Sequence, residues 1–585
     1  MPRTIAIGVQ EFADLREGHY FYIDKTDFIR EWWSSGDLVT LITRPRRFGK
    51  TLNISMLECF FSERYAKRDD LFQGLSIWQD AQYRRLQGTY PVICLSFAKV
   101  KEANYEQCVY GICQILSKVY QQHSYLEESE HLTKRQRRLF QATDEDLFEG
   151  RETMRVYDAL NLLSELLYAH TGKKPIILLD EYDTPMQEAY AHGFWDQIVS
   201  FIRKMFNAAF KTNPSLGRAI MTGITRVSKE SIFSDLNNPK VITMTSSHYA
   251  TAFGFTQKEV SEALEEFGLA DQADSVKKWY DGFTFGAVKD IYNPWSIINY
   301  LDERQYAPYW ANTSSNTLIS LLLQQANQEV KQKFEDLLQG KPLVTEIEEE
   351  IVFNQLEKKK DAIWSLMLSS GYLRVVDVIY PNVQAGRNDT IYTLQLTNLE
   401  VEIMFVKLIR QWFDEAENSY NSFIRALLEN HVKEMNQYMN NVALTTFSYF
   451  DTGNRPTGAE PERFYHGFVL GLIVELADRY EILSNHESGF GRYDVMLIPK
   501  NNRDNAYIFE FKVLNPYDDE QVLADTKVLN PYDDEQVLAD TAANALRQIK
   551  EKHYNAQLIA KGIDNAHIYH YGFAFQGKNV FIAKD

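Results

Sequence analysis

The stretch LVTLITRPRRFGKTLNISML, residues 38–57, decides how the first half of the chain folds. An apolar run typical of a buried strand leads into Gly-Lys-Thr at 49–51, and a helix-like run follows. A phosphate-binding loop lies between a strand and a helix, and it needs successive backbone N–H groups, a lysine for the phosphate charge and a hydroxyl for Mg²⁺. The stretch therefore predicts a nucleotide-binding loop over residues 44–51, with Arg44 at the position that usually holds the first glycine.

The arginine at position 44 is compatible with such a loop. Pro45 follows it and biases Arg44 towards an extended conformation, which any residue can adopt. Even a left-handed conformation would cost a non-glycine residue only about 1–2 kcal/mol. Several charge-assisted contacts to phosphate should outweigh that cost.

An acidic segment downstream supports the nucleotide site. In PIILLDEYDTP, residues 175–185, apolar residues lead into Asp180 and Glu181, as in a Walker B strand. There Asp180 would hold Mg²⁺ through water, and Glu181 would orient the attacking water. The alternative is a strand end capped by acids on an ordinary surface. The predicted loop upstream favours the functional interpretation.

A third element, AIMTGITRVSKESIF at 219–233, is typical of a strand followed by a polar turn. Thr222 or Thr225 could sense the γ-phosphate, and Arg226 could neutralise the charge that develops during hydrolysis. The alternative is a structural turn with an exposed arginine. The predicted ATP-binding residues are Arg44, Pro45, Arg46, Arg47, Phe48, Gly49, Lys50, Thr51 and Asp180, with Glu181 and Arg226 as catalytic residues and Thr51 and Asp180 as Mg²⁺ ligands.

A pair of carboxylates near the C-terminus predicts a second metal site. GRYDVMLIPKNNRDNAYIFEFKV, residues 491–513, has two strands joined by a polar hairpin, with Asp494 on the first. Alternation with a period of two puts Glu510 and Lys512 on one face of the second strand. Two carboxylates are hard oxygen ligands for Mg²⁺, and a nearby lysine can stabilise charge on a phosphate under attack. The alternative is a set of charges on an exposed hairpin, although both strands are otherwise apolar on both faces.

The order of apolar segments predicts the domain organisation. Residues 1–250 alternate short strands with helical segments, which favours a parallel sheet covered by helices. Residues 251–310 are predicted as a helical lid that opens with a Thr-x-x-Glu cap, and 311–450 as a helical region with a winged-helix-like order of helix, hairpin and helix. A linker-like stretch at 451–462 precedes an α/β domain at 462–585. The strands predicted in the first domain are Leu38–Thr43, Pro91–Phe97, Pro175–Leu179 and Arg218–Thr222.

The segment KVLNPYDDEQVLADT occurs twice without change, at 512–526 and at 527–541. Such identity indicates a recent tandem duplication or an error in the sequence rather than a solenoid. Lys527 lacks a glutamate two residues before it, so only Lys512 completes the Glu-x-Lys pattern. We expect the following helix to begin near Pro531 and to pack normally, and Asn515–Thr526 to form an exposed excursion, because lengthening a surface loop costs less than about 2 kcal/mol.

Composition and charge limit the partners. The chain is 45% hydrophobic and has no run of 18 apolar residues and no signal-peptide pattern, which predicts a cytoplasmic protein without a membrane partner. A net charge of −18 opposes generic nucleic-acid binding, because the average surface repels a duplex. Contact with nucleic acid must therefore use local basic patches. The candidates are Arg44, Arg46, Arg47 and Lys50, and, more simply explained as a solvated helix face, Lys134, Arg135, Arg137 and Arg138.

Together these motifs resemble bacterial proteins that join an AAA-ATPase-like N-terminal domain to a C-terminal nuclease domain of the PD-(D/E)XK superfamily. The resemblance covers nearly the whole chain. It rests on YIDKTDFI (22–29), RPRRFGKT (44–51), LLDEYD (178–183), TGITRVSKESIFSDLNN (222–238), YDGFTFG (280–286), YNPWSIINYL (292–301) and SNHESGFGRYDV (484–495). The family's loop has the same Arg-Pro-Arg-Arg-Phe-Gly-Lys form, so the resemblance implies that the arginine at its first position is a family variant.

The resemblance also implies the fold class and the cofactors. It implies an α/β protein with an AAA/STAND-like P-loop sheet in 1–250 and a restriction-endonuclease-like α/β domain in 462–585. ATP and Mg²⁺ are the implied cofactors of the first domain, at Lys50, Thr51, Asp180 and Glu181. By superfamily analogy, the second implies Mg²⁺-dependent cleavage of DNA or RNA at Asp494, Glu510 and Lys512, with Asp494 and Glu510 as metal ligands.

The residues around the second site leave alternatives open. Gln548 and Tyr554, on the helix after the nuclease strands, either face the site or pack in the core. The duplicated segment departs from the family pattern and places that helix in question. Glu475 and Glu487 are weaker candidates for a further acidic ligand.

Two functions are consistent with the sequence. The first is an ATP-hydrolysing protein with a Mg²⁺-dependent nuclease domain that acts on nucleic acid, with DNA favoured. The second is an ATP-switched regulatory or signalling protein whose nuclease-fold domain binds without cleaving. The complete Asp and Glu-x-Lys set favours the first, and the net charge of −18 favours the second. A homo-oligomer and an unidentified protein partner are both left open.

Overall fold

Two separately packed units make up the chain. The computed structural model describes all residues except 1, 227–238, 314–318, 321, 324, 325, 327, 339, 349–361, 382–388, 415–419, 447–468, 470–472, 474, 475, 477, 478, 485, 486, 489, 490, 493, 502, 503, 515–530, 577 and 578. The first unit is Met1–Gln324 with Asp336–Met404, and the second is Gln325–Glu335 with Phe405–Asp585. Each unit builds its core around its own sheets.

Helices and strands alternate through most of the described residues. The helices are α1 (Phe12–Glu17), α2 (Asp27–Ser35), α3 (Lys50–Phe61), α4 (Ala81–Arg84), α5 (Tyr105–Gln122), α6 (Lys134–Phe148), α7 (Met154–Thr171), α8 (Thr184–His192), α9 (Trp195–Phe206), α10 (Gln257–Glu266), α11 (Ala273–Tyr280), α12 (Pro294–Glu303), α13 (Gln328–Leu338), α14 (Ala362–Ser369), α15 (Leu399–Asp414), α16 (Tyr420–Leu428), α17 (Val432–Thr446), α18 (Pro531–Glu551) and α19 (Ala556–Ala560). The strands are β1 (Val39–Thr43), β2 (Val92–Ser96), β3 (Ile176–Asp180), β4 (Arg218–Gly223), β5 (Lys240–Ile242), β6 (Phe255–Thr256), β7 (Phe283–Phe285), β8 (Val288–Tyr292), β9 (Leu343–Glu346), β10 (Leu373–Ile379), β11 (Ile391–Leu396), β12 (Tyr480–Ser484), β13 (Glu487–Ser488), β14 (Gly491–Arg492), β15 (Val495–Pro499), β16 (Ala506–Val513), β17 (Ile568–Gln576) and β18 (Asn579–Lys584).

Strands β1 to β5 form a parallel sheet in the order β2-β3-β4-β1-β5. The four strands predicted from apolar runs are confirmed to within one residue at each end. The edge strand β5 gives no such signal, because it is only three residues long. Since β4 lies between β1 and β3, its carboxyl end lies between the phosphate-loop sequence and the acidic motif. The carboxyl ends of parallel strands share one edge, where ligands of such sheets bind.

The predicted lid at 251–310 is not purely helical. Helix α10 begins at the expected cap, where Thr256 and Glu259 each accept the other's backbone N–H. Strands β6, β7 and β8 then form an antiparallel sheet within the same segment. The alternation of Phe283 and Phe285 with a small polar residue, just before Gly286 at φ 56°, is the hairpin pattern that distinguishes it from a helix.

The helix, hairpin and helix order predicted further along is confirmed in α14, β10, β11 and α15. Strand β9 pairs with β11 and adds a third strand to the hairpin. The part of this arrangement that belongs to the first unit, residues 362–404, is called the hairpin module. At its first turn, Gly371 has φ 88°, and a Cβ there would lie 2.9 Å from the ring of Pro45 in the phosphate loop.

The second unit is a mixed sheet in the order β12-β15-β16-β17-β18 with helices on both faces. On one face, Phe423 of α16 and Met435 of α17 belong to the same hydrophobic cluster as Phe509 of β16. On the other face, Ile549 of α18 packs against Ile508. Helices before residue 450 therefore belong to the C-terminal core. Within the region 311–450, residues 336–404 belong to the first unit, and residues 325–335 and 405–450 belong to the second.

The duplicated segment spans the end of β16 and the start of α18. Helix α18 begins at Pro531, as expected, and Ala542, Ala545 and Ile549 on it are buried. The predicted excursion at Asn515–Thr526 and the linker at 451–462 lie outside the described residues. Among the described helices, none combines the length and the apolar character that a membrane span requires.

Glu400, in the first turn of α15, is a fully buried carboxyl group that connects the hairpin module to the lid. Its Oε2 accepts a hydrogen bond from the Ser296 hydroxyl at 2.9 Å. Its Oε1 accepts from the backbone N–H groups of Trp310 at 2.5 Å and Ala311 at 3.4 Å. Burial raises the pKa of Glu400 to about 7 although these donors favour the charged form.

We predict that Glu400→Gln removes a pH dependence of stability. The native pKa of about 7 exceeds the ordinary value of 4.5, so the contribution of the protonated group is complete below pH 4.5 and is lost as the pH rises to 7. A difference of this size corresponds to about 3 kcal/mol. The neutral amide resembles the protonated acid, so the melting temperature of the variant relative to wild type should rise by several degrees between pH 5 and pH 8. A constant difference would contradict the assignment.

Candidate functional sites

The buried carboxylate of Asp180, at the end of β3, accepts hydrogen bonds from two hydroxyl groups. Thr51 Oγ1, at the start of α3, donates to Oδ2 at 2.7 Å, and Thr222 Oγ1, at the end of β4, donates to Oδ1 at 2.5 Å. Burial and the repulsion of Glu181 raise the pKa of Asp180, and the two hydroxyl donors oppose this. A carboxylate beside a threonine hydroxyl is the kind of oxygen donor set that Mg²⁺ takes, so these two residues fit the predicted metal.

The lysine of the loop is buried beside the acidic motif. Lys50 is 4% exposed, and its Nζ donates to the carbonyl groups of Arg44 and Pro45, each at 3.1 Å. Glu181 Oε1 lies 3.6 Å from the same nitrogen. Glu181 has a left-handed φ of 52°, a conformation that costs a non-glycine residue about 1–2 kcal/mol. The backbone is therefore strained at Glu181, whose carboxylate lies beside the lysine of the loop.

The guanidinium of Arg44 is fully buried and bonds to the protein interior. Its Nη1 donates to the carbonyl groups of Thr43 at 3.0 Å and Thr243 at 2.6 Å, and its Nη2 donates to that of His248 at 3.3 Å. The ring of Phe285 lies 4.4 Å from the guanidinium carbon. Burial lowers the pKa of Arg44 to about 9.

This placement corrects one prediction and agrees with another. Arg44 cannot belong to an exposed basic patch, because its donors are directed at interior carbonyl groups. The expectation that Pro45 keeps Arg44 out of the left-handed region is confirmed, because Arg44 is absent from the residues with positive φ in the described chain. Residue 44 could therefore contact a nucleotide only through its backbone.

Phe48 closes the phosphate loop from the side of the lid. Its side chain is 1% exposed. Its ring packs edge to face on Phe283 at 4.7 Å and on Phe285 at 5.4 Å. The side chain of Phe48 therefore anchors the loop to the lid through apolar contacts.

Arg46 and Arg47 are the exposed basic residues of the loop. Arg47 takes a left-handed φ of 64°, and its guanidinium carbon lies 4.4 Å from the centre of the Trp295 ring. Since Lys50 is buried, only Arg46 and Arg47 of the first predicted basic patch are exposed.

Asp183, a residue with no predicted role, organises the turn after β4. Its Oδ2 accepts from the N–H groups of Ile224 at 3.0 Å and Thr225 at 2.8 Å, and from the Thr225 hydroxyl at 2.9 Å. Arg226 is half-buried at the end of this turn, and the next described residue is 239. The position of Asp183, three residues after Asp180 in LLDEYD, is the signal that could have identified it.

In the second unit, Asp494 and Glu510 lie on neighbouring strands. Val495 is opposite Phe509 in the antiparallel pair of β15 and β16. Continuing that register by one residue sets Asp494 opposite Glu510, and directly opposite residues face the same side of a sheet. Asp494 Oδ2 accepts from the N–H of Phe511 at 2.7 Å, and Lys512 Nζ lies 3.5 Å from Glu510 Oε1. The structure thus brings the three predicted residues together.

Gln548, on α18, reaches the same carboxylate. Its Nε2 donates to Glu510 Oε1. The helix approaches closely because Gly572, the partner of Glu510 across β16 and β17, has no side chain: a Cβ there would lie 2.2 Å from the Ala542 carbonyl oxygen. Of the two alternatives for Gln548, the structure favours the one that faces the site.

Tyr554 lies beyond α18, which ends at Glu551, and not on the helix as predicted. It is 1% exposed, and Gln548 Nε2 lies 3.3 Å from its hydroxyl group. Burial raises the pKa of Tyr554, and the negative charges of Glu510 and Asp494 add to this effect. Tyr554 therefore combines core packing with proximity to both carboxylates.

The further acidic candidates stay untested. Glu475 lies outside the described residues, and of Glu487 only the backbone, in β13, is described. Within the described part of the chain, no three His, Cys, Asp or Glu side chains are grouped so that they could hold a metal ion. Asp494 and Glu510 are thus a carboxylate pair, with Lys512 and Gln548 as neighbours.

Two family models match the segments that contain these sites. The model described as a predicted AAA-ATPase matches residues 6–233, which include the phosphate loop and the acidic motif. The model of the PD-(D/E)XK nuclease superfamily matches residues 460–585, which include the carboxylate pair. The chain joins an AAA-ATPase-like domain to a PD-(D/E)XK nuclease-superfamily domain. The resemblance inferred from the motifs is confirmed.

A relative matches this chain over nearly the full length of both proteins. An uncharacterized protein in the vnfD 5′ region of Azotobacter chroococcum mcd 1 is 24% identical over 572 residues, which cover 96% of this chain and 94% of the relative. The similarity therefore extends across the AAA-ATPase-like domain, the nuclease-superfamily domain and the residues between them.

The second predicted basic patch lies on α6 of the AAA-ATPase-like domain. Lys134, Arg135 and Arg138 are exposed, and Arg137 is half-buried. The helix begins with a capping box that involves Thr133 and a glutamine in its first turn. These features agree with the simpler interpretation, a solvated helix face.

We predict that Arg44→Gly, which restores the usual glycine of a phosphate loop, destabilises the AAA-ATPase-like domain. Three interior carbonyl groups would lose their donor, and the expected loss in unfolding free energy is more than about 3 kcal/mol. Urea titration measures this loss. Arg46→Gly, at an exposed position of the same loop, is the control and should cost no more than about 1 kcal/mol. Equal losses would contradict a structural role for Arg44.

Proposed function

We propose that the AAA-ATPase-like domain binds Mg²⁺-ATP at residues 44–51 and hydrolyses it. The observation that carries the proposal is the hydrogen bond from Thr51 to the buried Asp180, because it joins the hydroxyl of the loop to the acid of the second motif. Lys50 and Glu181 lie beside that pair. Thr51 and Asp180 would hold Mg²⁺, which offsets charge on the phosphates when bound.

In the proposed reaction, backbone N–H groups of the loop and the ammonium group of Lys50 hold the β- and γ-phosphates. The carboxylate of Glu181 orients the attacking water and accepts its proton. Because Lys50 Nζ lies 3.6 Å from Glu181 Oε1, a phosphate that attracts the ammonium group would leave the carboxylate available to water. Arg226, after the turn that Asp183 holds, would stabilise charge on the transferred phosphoryl group.

We predict that Lys50→Ala abolishes ATP binding, because the backbone amide groups of the loop cannot replace the charge of its ammonium group at the phosphates, and that Glu181→Gln binds ATP but hydrolyses it at least about 10²-fold more slowly. Titration with a fluorescent ATP analogue measures binding, and phosphate release measures hydrolysis. Glu188→Gln, on α8, is the matched control and should behave as wild type. Hydrolysis by Glu181→Gln at the wild-type rate would remove Glu181 from the mechanism.

We further propose that the nuclease-superfamily domain cleaves phosphodiester bonds in nucleic acid, with DNA as the favoured substrate. The supporting observation is the complete set of Asp494, Glu510 and Lys512 on neighbouring strands. Mg²⁺, when bound by the two carboxylates, would activate the attacking water. Glu510 is 2% exposed, whereas the side chain of Lys512 is 34% exposed, so the lysine is accessible to a phosphate while the acid is held in place. Gln548 fixes the orientation of Glu510.

We predict Mg²⁺-dependent cleavage of labelled DNA that is lost in Glu510→Gln and strongly reduced in Lys512→Met. The amide cannot supply the negative charge that the metal needs, and methionine cannot stabilise charge on the phosphate. Gel electrophoresis of the products, with and without ATP, measures cleavage. Lys552→Met, at an exposed position after α18, controls for loss of a surface charge and should cleave normally.

One observation favours the alternative, an ATP-switched regulatory protein whose nuclease-fold domain binds without cleaving. The net charge is −18, and the exposed basic residues of the phosphate loop are only two, Arg46 and Arg47. A wild-type protein that shifts DNA or RNA in a gel in response to ATP, yet cleaves neither, would support this alternative. A homo-oligomer, a protein partner and a cytoplasmic location stay predictions.

A further inference from the structure

Two side chains from outside the parallel sheet bond to one carbonyl group of the phosphate loop. Trp310 Nε1 donates to the carbonyl oxygen of Arg46 at 3.0 Å, and Asn293 Nδ2 donates to the same oxygen at 3.3 Å. Both residues follow residue 233, where the match to the AAA-ATPase model ends. The lid thus makes polar contact with the backbone of the loop, in addition to the apolar contact through Phe48.

The orientation of this carbonyl group determines where the next amide points. The peptide bond between Arg46 and Arg47 is trans and planar, so its N–H is directed opposite to its C=O. Two donors that hold the carbonyl group of Arg46 on the side of Trp310 and Asn293 therefore keep the N–H of Arg47 directed away from them. A phosphate loop binds its ligand through backbone N–H groups, so a fixed direction of this N–H is what such a site needs.

The conformation of Arg47 needs such support. Its φ of 64° is sterically unfavourable for a residue with a Cβ, and rotation of the preceding peptide group would relieve it. In loops with glycine at this position, the same conformation carries no steric cost. Here the two hydrogen bonds from Trp310 and Asn293 oppose the rotation.

Both donors are themselves fixed. The backbone N–H of Trp310 donates to the buried Glu400 at 2.5 Å, and its ring packs on Phe283 and Tyr372, each at 5.5 Å. The Asn293 side-chain oxygen caps α12 by accepting from two backbone N–H groups of its first turn. Their amide and indole donors therefore have little freedom to follow a displaced loop.

We propose that Trp310 and Asn293 are positioning residues of the nucleotide site, which aim the N–H of Arg47 at the phosphates of the bound nucleotide. Glu400 of the hairpin module holds Trp310 in place. The direction of the Arg47 N–H therefore depends on how the hairpin module packs against the lid. This inference rests on the proposed binding of ATP. The ligand class is a nucleoside di- or triphosphate, since the group positioned is a phosphate-directed amide.

The experiment compares two buried tryptophans. Trp310→Phe keeps an aromatic ring against Phe283 and removes the indole N–H. Trp364→Phe, on α14, removes a fully buried indole whose N–H donates no hydrogen bond within the described part of the chain. Dissociation constants for Mg²⁺-ATP and Mg²⁺-ADP are measured by calorimetry on the full-length protein, with the melting temperature of each free variant.

Trp310→Phe should raise the dissociation constants of both nucleotides by roughly 3- to 10-fold, which is the effect of losing one hydrogen bond. Trp364→Phe should bind both nucleotides as tightly as wild type. Asn293→Asp keeps the oxygen that caps α12 and removes the other donor, so it should weaken binding independently. Combined with Trp310→Phe it should weaken binding more than either change alone.

Three results would overturn the inference. Wild-type affinity in Trp310→Phe would show that the carbonyl contact does not position the loop. Equal weakening in Trp310→Phe and Trp364→Phe, in proportion to their melting temperatures, would assign the effect to packing. Absence of nucleotide binding by the wild-type protein would overturn the proposed function and this inference together, which distinguishes it from the first two results.

Discussion

The hydrogen bonds to the buried carboxylate of Asp180 hold together three segments that are far apart in the chain. The start of α3, the end of β3 and the end of β4 converge because Thr51 and Thr222 donate to its two oxygens. A buried carboxylate without donors would be strongly destabilising. The position of β4 beside β3 allows Thr222 to reach Asp180, and Lys50, the residue before Thr51, lies 3.6 Å from Glu181.

Both candidate sites hold a nearly inaccessible acid with neutral donors. Asp180 accepts from hydroxyl groups, and Glu510 accepts from the side-chain amide of Gln548, while each acid is 2% exposed. Neutral donors orient a carboxylate without cancelling its charge. In a chain with a net charge of −18, the average surface already attracts cations, and local geometry of this kind would give one of them a defined position.

The sequence predicts the elements whose signal is local. Apolar runs identify the strands that end in Thr43 and Asp180, and alternation places Glu510 and Lys512 on one face. The interior role of Arg44 and the contact of Trp310 with Arg46 have no such signal, because they depend on side chains that meet backbone groups far away in the chain. The lid strands β6, β7 and β8, of two, three and five residues, are not predicted, although the alternation at 283–285 before Gly286 is a local signal for a hairpin.

The phosphate loop is supported on its outer side by residues that follow the matched AAA-ATPase segment. Pro45 lies so close to Gly371 of the hairpin module that a Cβ there would be 2.9 Å from its ring, and Phe48 packs on Phe283 of the lid. A gene fragment that ends with the parallel sheet would encode every sequence motif of the proposed nucleotide site but leave this side of the loop open to solvent. The smallest portion that evolution or an engineer could transplant intact therefore extends through the hairpin module, to about the boundary of the first unit at Met404.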